Sequence, residues 1–182
     1  LICPEDFYLR LLFLSSQPMT HRYIKELGSY IDQEVVLKGW LAQKRDSKGL
    51  LFATMRDGTG FVQVVIDENV VGNEIFEQAK KMGQESSFAI SGVVKKDERQ
   101  FGGVEVQAKS FCAYANAEDF PITPKEHGVD FLMDKRHLWL RSKRQWAIMR
   151  VRNTIIFSIH EFFQNKGFVQ MDAPIFTGNA CE

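Results

Sequence analysis

Three residues of different chemistry, Phe52, Gln63 and Glu105, fall on the same side of three alternating segments of this sequence. Successive side chains of a strand point to opposite faces, so each segment divides into two sets. In residues 50–56, Leu51, Ala53 and Met55 point one way, leaving Leu50, Phe52, Thr54 and Arg56 on the other. In residues 61–66, Val62, Val64 and Ile66 separate from Phe61, Gln63 and Val65. In residues 104–109, Val104, Val106 and Ala108 separate from Glu105, Gln107 and Lys109. With the aliphatic sets turned inward, the outer face collects a ring, an amide and a carboxylate. A ring can stack on an unpaired base, an amide can pair with its Watson–Crick edge, and a carboxylate can accept from an exocyclic amine. Those are the parts a reader of single-stranded RNA needs, although an ordinary surface also carries isolated rings and polar groups.

No second constellation competes. His21, His127, His137 and His160 have no metal-ligand spacing, and no GxSxG, Walker or GxGxxG motif occurs. Neither a catalytic residue nor a metal site is therefore expected in this segment.

The elements that would position the three residues follow from the same pattern. Strands are expected at 35–43, 50–56, 61–66, 87–94 and 104–114, with the second and third joined by Asp57-Gly58-Thr59-Gly60, a connection suited to a hairpin. Val71, Ile75, Ala79 and Met82 form one stripe of a short helix followed by Gly83. Five strands with a helix between the third and fourth is the element order of an OB-fold, a small all-β barrel that binds oligonucleotides on its second and third strands. Residues 115–134 read as a linker, its first part rich in proline and without periodicity. Beyond it, Ser142-Lys143-Arg144-Gln145 has the form of a capping box. Ile148, Val151, Ile155, Ile159 and Phe162 then mark one stripe of a helix of about 23 residues, closed by Asn165-Lys166-Gly167. A short strand is expected at 168–172. A helix and one strand cannot close a core alone, so residues 135–182 read as the start of a further domain and the chain as part of a longer protein.

Length and composition set the bounds. With 182 residues, 45% hydrophobic and 25% charged, the chain can bury a substantial core in one domain and part of a second. The 23 basic and 23 acidic residues cancel, which excludes a polycation holding nucleic acid by bulk charge. The charge is nevertheless uneven: residues 19–120 hold 13 basic against 15 acidic residues, a net of −2, whereas residues 135–152 hold seven basic and no acidic residues. No apolar run reaches the roughly 18–20 residues that span a bilayer, so no membrane partner is expected. Cys3, Cys112 and Cys181 form no CxxC or Cys/His cluster, which excludes a zinc ribbon and a disulfide framework and suits free thiols in a reducing cytoplasm. Residues 1–18 read as an extension, expected to be poorly ordered.

Several ordered blocks resemble one family, the class II aminoacyl-tRNA synthetases of the aspartyl/asparaginyl group. They are Gly39-Trp40, Leu51-Phe52, Met55-Arg56-Asp57-Gly58, Gly60-Phe61-Val62-Gln63-Val64-Val65 and Lys135-Arg136-His137-Leu138-Trp139-Leu140-Arg141. Gly167-Phe168 and Asp172-Ala173-Pro174-Ile175-Phe176 look like the family's motif 1. The segments 69–87 and 178–182 look more asparaginyl than aspartyl. The resemblance covers residues 19–182 and implies an OB-fold at 19–114 that grips the tRNA anticodon, followed at 135–182 by the start of an α+β catalytic domain.

In that framework Phe52 matches the ring that stacks on an anticodon base, Gln63 the amide that reads it, and Glu105 an acidic anticodon contact. Pro174 matches the motif 1 proline at a homodimer interface, and Glu182 the glutamate opening a mobile loop over the amino-acid pocket. The implied activity is an asparagine–tRNA ligase using ATP and Mg²⁺. An aspartate–tRNA ligase, including one that accepts both tRNAs, is the alternative within the family, and a non-catalytic OB module for single strands is the alternative outside it. The family's ATP-holding motifs 2 and 3 and its Mg²⁺ ligands lie beyond residue 182. The 182-residue chain is accordingly expected to show no asparagine-dependent ATP–pyrophosphate exchange; measurable exchange by the purified chain would overturn this reading.

Overall fold

The structure, a computed structural model, describes residues 21–100, 102–123 and 125–173. Pro174, Glu182 and the extension 1–18 lie outside the described residues. Two units are distinguished, Leu1–Pro121 and Ile122–Glu182.

In the first unit, the apolar residues of alternating segments can leave water only if the sheet curls on itself. Strands β1 (Glu34–Ser47), β2 (Leu50–Arg56), β3 (Phe61–Asp67), β4 (Ser87–Lys96) and β5 (Val104–Ala115) form a closed barrel in the order β1-β2-β3-β5-β4. All pairings are antiparallel except β3 with β5, and β1 closes the ring against β4. This is the OB-fold expected from the element order. The inward sets named above, from Leu51 to Ala108, are all buried, and Leu27, Leu37, Leu41, Phe88 and Ile90 complete the core. Each such large side chain stabilises the barrel by roughly 1.5–3 kcal/mol.

Two departures from the expected elements have local causes. The first strand runs on to Ser47, with a register shift between Leu41 and Gln43. Its second half, Lys44 to Ser47, shows no apolar alternation; pairing with β2 extends it. The expected helix at 71–82 is two helices, α1 (Glu68–Val71) and α2 (Asn73–Lys81), divided at Gly72 with φ +84°. That backbone conformation is open to glycine and strained for other residues, so the chain turns there. Val71, Phe76, Ala79 and Met82 are buried, and Ile75 packs against the core, so the pair seals against the apolar interior of the barrel.

The barrel is also fixed by close approaches and by one carboxylate. A Cβ at Gly39 on β1 would lie 2.4 Å from the Arg56 carbonyl oxygen of β2, so only glycine fits there. In the β2–β3 turn, Asp57 Oδ1 accepts from the Thr59 amide at 2.8 Å, the Thr59 hydroxyl at 2.7 Å and the Gly60 amide at 3.2 Å. Its Oδ2 accepts from the Ile24 amide at 2.7 Å, tying the turn to the 3₁₀ segment Ile24–Ser29 that carries buried Leu27.

The second unit is helical. Helix α3 (Val129–Asp134) occupies the end of the segment read as a linker, followed by α4 (Arg136–Trp139) and α5 (Lys143–Asn165). Ser142 Oγ caps α5 by accepting from the Gln145 amide at 3.4 Å, as the capping pattern predicted. The stripe Ile148, Val151, Ile155, Ile159 and Phe162 is 45–62% exposed. Residues 168–172 form no strand, which corrects that expectation; among the described residues no segment pairs with them, and strand geometry needs a partner for its backbone groups. No helix among the described residues is long and apolar enough to cross a membrane.

Substituting Asp57→Ala removes one acceptor from four donors and is expected to lower the stability of the chain by about 2 kcal/mol or more, with Asp57→Asn costing less. Equilibrium urea unfolding followed by circular dichroism would show the shift in midpoint.

Candidate nucleic-acid interface

Closure of the barrel brings the three sequence-selected residues onto one outward face. Phe52 on β2 lies opposite Val65 and Thr54 opposite Gln63, so Phe52 and Gln63 are diagonal neighbours, roughly 7–8 Å apart in such a pairing. Gln63 and Glu105 are direct partners across the parallel β3–β5 pairing, although 42 positions separate them in the chain. Their side chains meet: Gln63 Nε2 donates to Glu105 Oε2 at 3.2 Å. All three residues are half-buried, leaving part of each side chain at the surface.

A fourth residue belongs to this face and was missed from sequence. Arg45 lies opposite Phe52 on β1, and its guanidinium carbon sits 5.0 Å from the centre of the Phe52 ring. Cation–π attraction holds the charge over the ring. The expected end of the first strand at Gln43 hid this placement, because the register shift and the pairing of the Lys44–Ser47 half are tertiary facts.

Neighbouring charges are committed elsewhere. Arg56, outward on β2 as expected, forms an ion pair with Glu85 in which Nε also donates to Oε1 at 3.2 Å, and its guanidinium lies 5.0 Å from the Trp40 ring centre. Both charged side chains are largely covered, at 13% and 6% exposure, so this is a structural clamp. Lys44 donates to the carbonyl oxygens of Lys80 and, at 2.5 Å, Met82, at the end of α2. Burial lowers its pKa, opposed by the Asp46 charge. In the β4–β5 loop, Asp97 accepts from Arg99 Nε at 2.9 Å, Nη2 at 3.0 Å and the Arg99 amide at 3.1 Å. These bonds hold the Asp97 carboxyl below its usual range and raise Arg99. The Arg99 guanidinium is left exposed at the same end of the sheet as Glu105.

The arrangement can stack a base on Phe52, attract its phosphate through Arg45, and pair its edge with Gln63. It offers no acid–base pair or nucleophile. Among the described residues no group of three or more His, Cys, Asp or Glu side chains could hold a metal ion. The basic run found in the sequence lies on α4 and the first half of α5, where Arg150 sits 4.9 Å from the Trp146 ring centre.

Comparison with known proteins gives two family matches: an OB-fold nucleic acid binding domain over residues 35–111, and tRNA synthetases class II (D, K and N) over residues 128–182. The chain is 49% identical over 159 residues to the asparagine–tRNA ligase of Lactobacillus johnsonii, covering 87% of this chain and 37% of that protein. The corresponding ligase of Lactobacillus gasseri is 48% identical with the same coverage. Among solved structures, the asparaginyl-tRNA synthetase of Pyrococcus horikoshii matches with a TM-score of 0.78 at 36% identity, over 86% of this chain and 38% of that one. The chain thus spans little more than a third of the length of these relatives.

Because Arg56 serves Glu85 and Trp40, Arg56→Ala is expected to act on stability: losing this largely covered, charge-assisted pair costs about 2 kcal/mol. Thermal melts should register that loss, and a variant with wild-type stability would show the clamp to be dispensable.

Proposed function

We propose, from the premise that the chain belongs to the class II tRNA synthetases (D, K and N), that its barrel grips the anticodon loop of a tRNA on behalf of an asparagine–tRNA ligase. The observation that carries this reading is the convergence of Phe52, Gln63 and Glu105 on one face of a closed OB barrel, with Gln63 and Glu105 in direct contact. Asparagine rather than aspartate is favoured by the relatives, both named as asparagine–tRNA ligases.

Each residue has a defined task. Loop bases are unstacked and present their faces, so the Phe52 ring supplies a platform whose contribution is insensitive to base identity. Gln63 meets the edge of a base and supplies identity through paired donor and acceptor. Glu105 completes the acidic side of the face, and Arg45 neutralises phosphate beside the stacked base.

The overall reaction proposed for the parent enzyme joins asparagine to tRNA in two steps. The amino-acid carboxylate attacks the α-phosphate of ATP to give an adenylate and pyrophosphate; a terminal ribose hydroxyl of the tRNA then takes the acyl group and releases AMP. The described residues contain no ligand set for Mg²⁺, and none of them is assigned a part in either step. Pro174 at a two-fold interface and Glu182 over the amino-acid pocket belong to the same proposal. The exposed apolar stripe of α5 supports an associating role for this part of the chain, as a homodimer in the parent. A cytoplasmic setting, where tRNA is charged, completes the reading.

Phe52→Ala is expected to weaken binding of a GUU anticodon stem–loop by roughly 1–3 kcal/mol, the usual scale for a lost base–aromatic stack. Gln63→Ala should relax base choice more than affinity. Fluorescence anisotropy titration measures both, and an unchanged dissociation constant for Phe52→Ala would sink the assignment of this face.

A further inference from the structure

We propose that Asp172, Gln170 and His160 form a directed hydrogen-bond relay, a latch that holds residues 168–172 back along α5 while no strand partner is present. The inference is independent of the anticodon reading, because it concerns the helical unit alone.

The chain reverses at the end of α5 by a turn that its own residues dictate. Gly167 takes φ +85°, its amide donates to the Gln164 carbonyl oxygen at 3.0 Å, and the Phe168 amide donates to that of Phe163 at 3.1 Å. Those two bonds are the Schellman pattern, which satisfies carbonyl groups left over at a helix end and turns the chain. The apolar contact that accompanies the pattern is present too, since the Phe163 and Phe168 rings meet edge to face with centres 5.4 Å apart. The turn fixes residue 168 and leaves the residues after it undirected.

Side chains direct them. His160 Nδ1 lies 2.6 Å from Gln170 Oε1, so Phe163 and His160, three positions apart on α5, meet Phe168 and Gln170, two apart in the segment. Three helical residues rise about 4.5 Å and two extended residues span about 6.6 Å, so the contacts suit an extended chain running back along the helix. Val169 and Met171, on either side of Gln170, are 83% and 87% exposed, as strand-like alternation requires. The alternation is held without any described segment pairing with the backbone.

The relay has one direction. Gln170 Nε2 donates to Asp172 Oδ1 at 3.2 Å, and because a carboxylate accepts and cannot donate, it draws the amide nitrogen to itself and turns the amide oxygen to His160. That oxygen in turn only accepts, which places the ring proton on Nδ1. A segment that meets a strand partner already extended loses less conformational freedom on pairing than a free chain would.

Nuclear magnetic resonance on the 182-residue chain tests the latch, in mildly alkaline buffer where imidazole rings are neutral. Long-range proton–nitrogen spectra of His160 report which ring nitrogen carries the proton, and backbone order parameters report the motion of residues 169–172. The wild-type chain is expected to show the Nδ1–H form, with order parameters in the segment above the flexible limit of about 0.6. Gln170→Met keeps the length of the side chain without its oxygen, so the proton should move to Nε2 and the order parameters should fall below that limit. Asp172→Asn can donate as well as accept, so Gln170 is free to turn over; both ring tautomers should appear while the segment stays ordered. That second variant reads the relay even if Gln170→Met also loosens the turn at Gly167. An Nε2–H ring in the wild-type chain, an unmoved tautomer in Asp172→Asn, or order retained in Gln170→Met would each defeat the proposal.

Discussion

The short parallel pairing of β3 with β5 is the constraint on which the proposed interface depends. Only Gln63 to Val65 and Glu105 to Gln107 take part, yet this contact closes the ring of strands. Without it the inward residues Val62, Val64, Val104 and Val106 would each lose a neighbour and the barrel would open into a sheet with two bare edges. The same contact places an amide beside a carboxylate on the outer surface. Core formation on one side of the strands and assembly of the polar pair on the other are thus two results of one register, because side chains alternate with a period of two.

Polar groups secure the barrel without occupying the face that carries Phe52. Asp57 gathers three donors of its own turn and one from the 3₁₀ segment, so the hairpin cannot fold away from the rest of the unit. Arg56 and Glu85 join β2 to the residues that precede β4, and Lys44 satisfies two carbonyl groups at the end of α2. The structure employs these cations internally. Arg45, their neighbour in the chain, is left over the Phe52 ring and remains exposed.

The helical unit follows a different logic. Helix α5 is well started at Ser142 and well stopped at Gly167, and none of its residues is buried. Local capping and propensity can define such a helix, but they do not repay exposure of Ile148, Val151, Ile155, Ile159 and Phe162 to water. The apolar stripe is the feature of this unit that asks for a partner.

The sequence by itself determined the class of fold, the inward sets of β2, β3 and β5, the length of α5 and the outward placement of Phe52, Gln63 and Glu105, because alternation, caps and helical stripes are local properties that survive in one dimension. It could not determine that β1 continues through Lys44–Ser47, since that half has no apolar pattern and is drawn into the sheet by β2. For the same reason Arg45 escaped notice, and the expected strand at 168–172 did not form where no partner among the described residues supplies its backbone bonds. Nor could spacing reveal that Gln63 touches Glu105 across 42 positions of chain. That contact is decided by closure of the barrel, a long-range pairing whose register emerges only when all five strands share one core.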